Sequence, residues 1–341
     1  MKLIVLKDQR HLILYQLNIN SILKIRNSNI WIATDGSQGM VSQTKGLAQH
    51  FNKKIINIKV SLYFPWSLLQ PGLLPIFKGI FKNNLNYKNK PDILFTCGRK
   101  SVYFSLYLKK ILSKKILTIH IQDPKINTNK FDFVIAPNHD KLNGNNVIKS
   151  IGAIHQFTNS NLKALKSHNI TKRNLVSIMI GGKNKHYKFS EKIIEDLIHK
   201  IKKLKTKFPK FNFLVISSRR TNKKINDILQ KKLSDIAIIW DKEKEKNPYI
   251  FALKNSKFFI ITSDSTSMIS ECAFTGKPIF VHHLPFKRLS KRIKYFHNEF
   301  ERLKIVRKFL SNSKLIKWKY KRLDEAKRIS GILKERIIKG S

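Results

Sequence analysis

The stretch FFIITSDSTSMISECAFTGKPIFV (258–281) decides the architecture. Phe258–Thr262 is aromatic and β-branched, with no alternation of polar residues, and reads as a buried strand. A hydroxyl-rich turn follows at Ser263-Asp264-Ser265. A helix fits Thr266–Thr275, Gly276 stops it, and Pro278–Val281 begins the next strand. A strand, a short turn, a helix and another strand make the repeating unit of a parallel sheet covered by helices.

The same alternation extends outward from this stretch. Before it come strand Leu175–Ile180, helix Ser190–Leu204 with Ser190 as its cap, strand Phe213–Ser217, helix Lys223–Leu233, strand Ile236–Trp240 and helix Pro248–Lys254. The first half repeats the logic. Its strands are Asn29–Thr34, Lys54–Val60, Asp92–Thr96, Ile116–Gln122 and Phe131–Ala136. Its helices are Met40–Phe51 and Lys100–Leu112, the latter with Leu106, Leu108, Ile111 and Leu112 on its apolar face. The fold class is therefore α/β, with a parallel sheet covered by helices on both faces in each half. The polar run Asn159–Arg173 is the candidate linker, which puts the domains at 1–165 and 166–312. The basic tail, helical from about Lys314 to Lys339, forms a third segment at 313–341 that is free to pack back on the first domain.

Composition bounds the function. A chain of 341 residues with 42% hydrophobic content is globular and long enough for two cores. Cys97 and Cys272 lie far apart and offer neither metal spacing nor a disulfide framework, which fits a reducing compartment. The start MKLIVLKDQRHLILYQL (1–17) is broken by Lys7, Asp8, Gln9 and Arg10, unlike a signal peptide, and no run is apolar enough to span a bilayer. The expected place is the cytoplasm, peripheral on the inner membrane face. The formal charge of +47, from 68 basic and 21 acidic residues, has two readings. One is the Lys, Ile and Asn bias of A/T-rich codons. The other is attraction to an anionic membrane surface. No nucleic-acid-binding motif accompanies the charge, so nucleic acid is not an expected partner.

Several loops at strand ends carry candidate chemistry. In 262–271 a hydroxyl-rich turn enters a helix, where backbone N–H groups and the helix dipole suit a phosphate. Glu271 lies further along that helix, and a carboxylate there can accept both hydroxyls of a ribose. An ordinary capped helix with a solvated Glu271 is the bland alternative. Gly181-Gly182-Lys183 ends another strand, where paired glycines permit positive φ and close approach to a ligand. Ser218-Arg219-Arg220 ends the next, and either arginine suits a diphosphate. In the first half, Asp35 in Thr34-Asp35-Gly36-Ser37-Gln38-Gly39 is the candidate general base. Gly36, Gln38, Arg99, Asp123, His139 and His155 are candidates for the acceptor side, each with a plain turn or packed side chain as its alternative. His120 carries the same choice. No metal motif is present, and neither metal nor cofactor is expected. The segment SLYFPWSLLQPGLLPIFKGIF (61–81) breaks the pattern. It reads either as an internal core connection or as an apolar lip for a lipid acceptor or membrane interface, with Trp66 and flanking lysines at the boundary.

The ordered series TDGSQGMVSQTKGLA (34–48), PDILFTCGRKS (91–101), IQDP (121–124), FDFVIAPNHD (131–140), NVIKSIGAIH (146–155), IGG (180–182), SSRRT (217–221), NPY (247–249) and TSDSTSMISECAFTGKP (262–278) resembles the mitochondrial-fission-protein family first named from plants. Its bacterial members are treated as GT-B glycosyltransferases. The resemblance implies two Rossmann-like domains facing across a cleft, with a nucleotide-sugar donor held by the second. The 265–271 segment also resembles the donor site of the peptidoglycan N-acetylglucosaminyltransferase. Carried over, Glu271 holds the ribose, Ser265, Thr266 and Ser267 meet phosphate, and Gly181, Gly182, Ser218 and Arg219 line the same pocket. The likeness fails at the N-terminal loop, where TDGSQG stands in place of a glycine-rich loop bearing a catalytic histidine. The implied reaction is metal-independent transfer of a sugar to a lipid-linked or glycan acceptor. A nucleotide-sugar 2-epimerase on the same fold and a non-enzymatic membrane adaptor are the alternatives.

Overall fold

The computed structural model describes residues 27–52, 54–83, 89–163, 170, 173–240 and 247–340. The 1–17 segment and the linker positions 164–169 and 171–172 lie outside the described residues. The chain divides into two compact units, the first within Met1–Gln156 and Asp324–Ser341, the second within Phe157–Leu323.

Unit 1 is built on β1 (Ile30–Thr34), α1 (Gln38–Ala48), β2 (Ile55–Lys59), β3 (Ile93–Cys97), α2 (Arg99–Leu112), β4 (Leu117–Ile121), β5 (Phe133–Pro137) and β6 (Val147–Ser150). The strands form one parallel sheet in the order β2-β1-β3-β4-β5-β6. Every residue of β1 and β3 is buried, because helices cover both faces. The pleat divides each strand between two cores. Ile30, Ile32, Phe95, Ile119 and Ile135 pack with Leu47 and Ala48 of α1. Trp31, Ala33 and Leu94 pack with Tyr103, Phe104, Tyr107 and Leu108 of α2 on the other side. Each fully buried aliphatic or aromatic side chain contributes about 1.5–3 kcal/mol relative to exposure.

Unit 2 runs α3 (Asn159–Lys163), β7 (Leu175–Ile180), α4 (Glu191–Lys207), β8 (Asn212–Ser217), α5 (Lys223–Leu233), β9 (Ala237–Ile239), α6 (Tyr249–Asn255), β10 (Phe258–Thr262), α7 (Thr266–Ala273), β11 (Ile279–His282), α8 (Lys291–Arg302) and β12 (Val306–Lys308). Its parallel sheet has the order β12-β11-β10-β7-β8-β9. The chain moves outward from β7 to β9, then returns to the other side of β7 with β10. The order reverses between β7 and β10, which is where open α/β sheets hold ligands. In unit 1 the corresponding reversal lies between β1 and β3.

The last helix, α9 (Glu325–Gly340), belongs to unit 1. Ala326, Ile329 and Leu333 enter the α1-side core. The Glu325 carboxylate accepts Ile151 N–H at 2.8 Å, and Lys334 Nζ donates to the His50 carbonyl at 2.5 Å.

The structure corrects the sequence reading at several points. The tail helix starts at Glu325, not near Lys314. Before it the chain forms no regular element, and Trp318 Nε1 donates to the Lys304 carbonyl and Tyr320 Oη to that of Lys277. Residues up to Leu323 remain with unit 2, and the first division falls at Phe157. Asn159–Lys163 is helical within the stretch taken as linker. Strands β6 and β12 and helix α8 were not foreseen. Ser190 stands at the N-cap of α4 but makes no side-chain capping bond. Among the described residues no helix is long and apolar enough to cross a membrane.

Candidate functional site

At the carboxyl ends of β7, β8 and β10 a network of hydrogen bonds centres on Asp264. Its side chain is wholly buried. Gly182 N–H donates to Asp264 Oδ2 at 2.9 Å and Thr262 Oγ1 to Oδ1 at 2.6 Å. Arg220 Nη2 donates to Oδ2 at 3.1 Å from a half-exposed side chain. Gly181 N–H donates to Thr262 Oγ1 at 2.8 Å, so both glycine amides feed one carboxylate. Burial pushes the Asp264 carboxyl above the usual carboxylate range, while the bonds from Thr262, Gly182 and Arg220 pull it back. Thr221 Oγ1 donates to the Gly181 carbonyl, Ser218 N–H donates to Thr221 Oγ1 at 3.0 Å, and Arg220 N–H donates to Ser218 Oγ at 3.2 Å. On the other side, Leu284 N–H donates to Ser263 Oγ at 2.9 Å, and His297 Nε2 lies 3.0 Å from the Ser263 carbonyl.

This network explains Gly181 and Gly182. A Cβ on Gly181 would collide with the Asp264 carboxylate, and one on Gly182 with the Arg220 carbonyl. Neither glycine has positive φ, contrary to the expectation from the sequence. What the position requires is the absence of a side chain, so that three strand ends meet. Arg220 is the arginine turned toward the switch point, whereas Arg219 is exposed on the turn, as is Lys183 beyond the glycines.

The helix α7 begins at this junction. Ser265 is its N-cap residue and makes no side-chain capping bond. The first N–H groups of an α-helix have no partners within it, so the start of α7 offers donors and a positive dipole end. Ser265, Thr266 and Ser267 are all partly exposed there. Gly276, at φ +73°, ends the helix, with its N–H donating to the Ala273 carbonyl.

Glu271 is half-buried on α7, and Tyr249 Oη donates to its Oε2. Burial pushes the Glu271 carboxyl up to about 7, and the Tyr249 bond opposes that rise. Its partial burial and the Tyr249 bond set it apart from a fully solvated surface glutamate. Tyr249 itself stays protonated, its phenol driven far up by burial and by Glu271. The tyrosine was not singled out as a site residue, although its signal was present in NPY (247–249). Asn247 Oδ1 accepts Tyr249 N–H at 2.9 Å, and Pro248 occupies the N-cap of α6. At the other end of α6, Lys277 Nζ donates to the Leu253 carbonyl at 2.8 Å and that of Lys254 at 2.6 Å. A short helix held at both ends thus presents the phenol to Glu271.

In unit 1 the candidates spread along the carboxyl edge of the sheet. Asp35 and Gly36 follow β1 and Gln38 opens α1, beside the β1/β3 reversal. Asp35 Oδ1 accepts Ser37 N–H at 2.9 Å, and the carboxylate helps burial raise the Cys97 thiol at the end of β3. Gly36 takes φ +89° against the Lys59 side chain. Arg99 is committed elsewhere, since its guanidinium donates to the Ser67 and Leu69 carbonyls. Asp123 is held by Lys125, through N–H at 2.9 Å and Nζ at 2.5 Å. His139 and His155 are buried, and the His155 carbonyl lies where a Cβ on Gly46 would fall. His120 is a core residue: Thr96 Oγ1 lies 2.8 Å from its Nδ1, and burial lowers it to about 3. Among the described residues no three His, Cys, Asp or Glu side chains converge to hold a metal ion.

Comparison with known proteins decides the family. Residues 38–337 match the family model described as mitochondrial fission ELM1. The chain belongs to the mitochondrial fission ELM1 family. It is 29% identical to an uncharacterized protein of Rickettsia prowazekii, over 90% of this chain and 98% of that one. It is 26% identical to the mitochondrial fission protein ELM1 of Arabidopsis thaliana, over 62% of this chain and 57% of that one. Among solved structures, a candidate UDP-N-acetylglucosamine 2-epimerase from Listeria monocytogenes superposes with a TM-score of 0.52 at 9% identity, over 92% of each chain. That likeness concerns architecture alone. Two six-stranded parallel α/β units are the composition of the GT-B type, as expected from the sequence.

Proposed function

We propose that this protein is a glycosyltransferase. It takes a nucleotide-sugar donor at the β7/β10 switch point of unit 2 and passes the sugar to a glycolipid or polysaccharide precursor at the inner face of a membrane. The observation that carries the reading is Glu271, a desolvated carboxyl on the helix whose N-terminus opens at the strand reversal. Two ribose hydroxyls would donate to the carboxylate and draw it into its ionised form. The diphosphate would meet the amides and hydroxyls of Ser265, Thr266 and Ser267, with Arg220 beside them and Arg219 and Lys183 within the same loop set. Charge that develops on the departing nucleoside diphosphate would be met by donors already in place, each worth roughly 3 kcal/mol of barrier. This leaves no role for a metal or cofactor in the proposed step. Asp35 is the proposed base that takes the acceptor hydroxyl proton.

The test is incubation of the protein with labelled nucleotide sugars, with and without a membrane-lipid extract. The expected result is transfer of label to the extract with release of nucleoside diphosphate. Asp35→Asn is expected to lower turnover by roughly 10²–10⁴-fold. A change in the sugar without any acceptor would instead favour a 2-epimerase. A chain that handles no nucleotide, and keeps its cellular role as Glu271→Ala, would be an adaptor.

A further inference from the structure

Residues 61–81 leave the sheet after β2 and return before β3, and their ends are anchored. Leu62, Ile80 and Phe81 are buried in the α2-side core, where Leu62 pairs with Phe81 across an isolated bridge. The middle is braced from beneath. The Arg99 guanidinium donates to the Ser67 and Leu69 carbonyls, and Tyr103 Oη lies 2.8 Å from the Gln70 carbonyl. Trp66 Nε1 donates to the Pro75 carbonyl at 3.0 Å, and its ring packs edge-on against Phe77 at 5.7 Å. Trp66 is therefore a staple within the loop and not its tip.

The bracing holds apolar side chains outward. Phe64 is 75% exposed, Leu68 70% and Leu73 67%, while Tyr63 and Phe77 are about half exposed. A braced loop cannot hide these groups by collapse, and a contiguous exposed apolar surface marks an interaction site. Along the chain, the residues flanking the loop carry charge of one sign. From Gly36 to Pro91 the chain has eight lysines and no aspartate or glutamate. Lys82 Nζ stands over the Tyr63 ring at 5.2 Å, and exposed Lys78 adjoins Phe77. An aromatic and aliphatic tip with a cationic rim matches the boundary between acyl chains and anionic headgroups.

We propose that the 61–81 loop docks unit 1 on an anionic lipid bilayer, with Phe64, Leu68 and Leu73 entering the interface and Lys78 and Lys82 on the headgroups. The proposal deepens the glycosyltransferase reading, because it names the surface that would meet a lipid-borne acceptor. It does not depend on nucleotide binding, so the two fail separately.

The experiment is sedimentation of the full chain with vesicles of phosphatidylcholine, alone or mixed with phosphatidylglycerol. The comparison is a variant carrying Phe64→Ser, Leu68→Ser and Leu73→Ser. These exposed positions should leave the melting temperature unchanged. The expected result is preferential binding to the mixed vesicles, weakened roughly tenfold or more in the variant. As a second readout, Phe64→Trp should show a blue-shifted emission on the mixed vesicles. Failure to bind either vesicle, or equal binding by the variant, would overturn the proposal. A dimer in solution that the variant converts to monomer would also overturn it, by assigning the patch to a second copy of this chain.

Discussion

In the proposed donor site, Glu271 and Tyr249 would together make nucleotide binding depend on pH. A carboxyl held at about 7 in the folded protein carries a proton on roughly half the molecules at neutral pH. Ribose hydroxyls need the ionised form. Affinity for a nucleotide sugar should therefore climb up to tenfold per unit as pH rises toward 7, then level off. The linkage sign for the free protein is opposite. The folded value lies above the unfolded 4.5, so this group favours folding at low pH, and that contribution fades as pH rises from about 4.5 to 7. Glu271→Gln should flatten both dependences in calorimetric titrations and in melting scans. Tyr249→Phe removes the bond that opposes the upward shift, so the midpoint for binding should move to higher pH. An unmoved midpoint would mean that the phenol only packs. Asp264 makes a different prediction, since its role is to join strand ends. Asp264→Ala strands two buried donors and Arg220, and should cost roughly 3 kcal/mol in denaturant unfolding. Gly181→Ala should destabilise by steric collision at the same place.

At the scale of elements, legibility followed the hydrophobic pattern. α5 and strands β7 and β10 have the bounds read from the sequence, because dense apolar runs stand between clear turn residues. Helix α8 is hard to read because it is strongly polar overall, and two of its four buried positions are His297 and Glu299 beside Phe296 and Phe300. The stretch before α9 misled for the opposite reason. Its lysines suit a helix, yet Trp318 and Tyr320 bond to backbone carbonyls elsewhere in unit 2 and no regular element forms. The turn and the helix that carries Glu271 were legible as local structure. The sequence offers Arg220 only as an equal of Arg219 and gives no role to Tyr249, because their partners Asp264 and Glu271 lie 44 and 22 residues away. α9 gives a control prediction. Leu333→Ala opens a cavity in the unit 1 core and should cost about 3 kcal/mol, with the nucleotide-dependent rise in Tm retained.

At the scale of the molecule, the charge of +47 bears on the proposed docking to an anionic bilayer. Ionic screening distinguishes a charged surface from an inserted loop. Raising the salt shortens the reach of charge to about 3 Å at 1 M, so capture by anionic vesicles should weaken, while the blue shift of Phe64→Trp on the remaining bound protein should persist. The α/β class and the two-sheet organisation were legible because each strand is bounded by its own turn chemistry. The glycosyltransferase reading stands or falls on the proposed nucleotide site at Glu271. The direct measurement is a thermal-shift panel of nucleoside diphosphates and nucleotide sugars, run on the unmodified protein and on Glu271→Ala. A ligand that binds only the folded state raises Tm by mass action. The expected result is a rise with one nucleotide family that is lost in Glu271→Ala. No rise with any nucleotide, from protein that melts cooperatively, would contradict it.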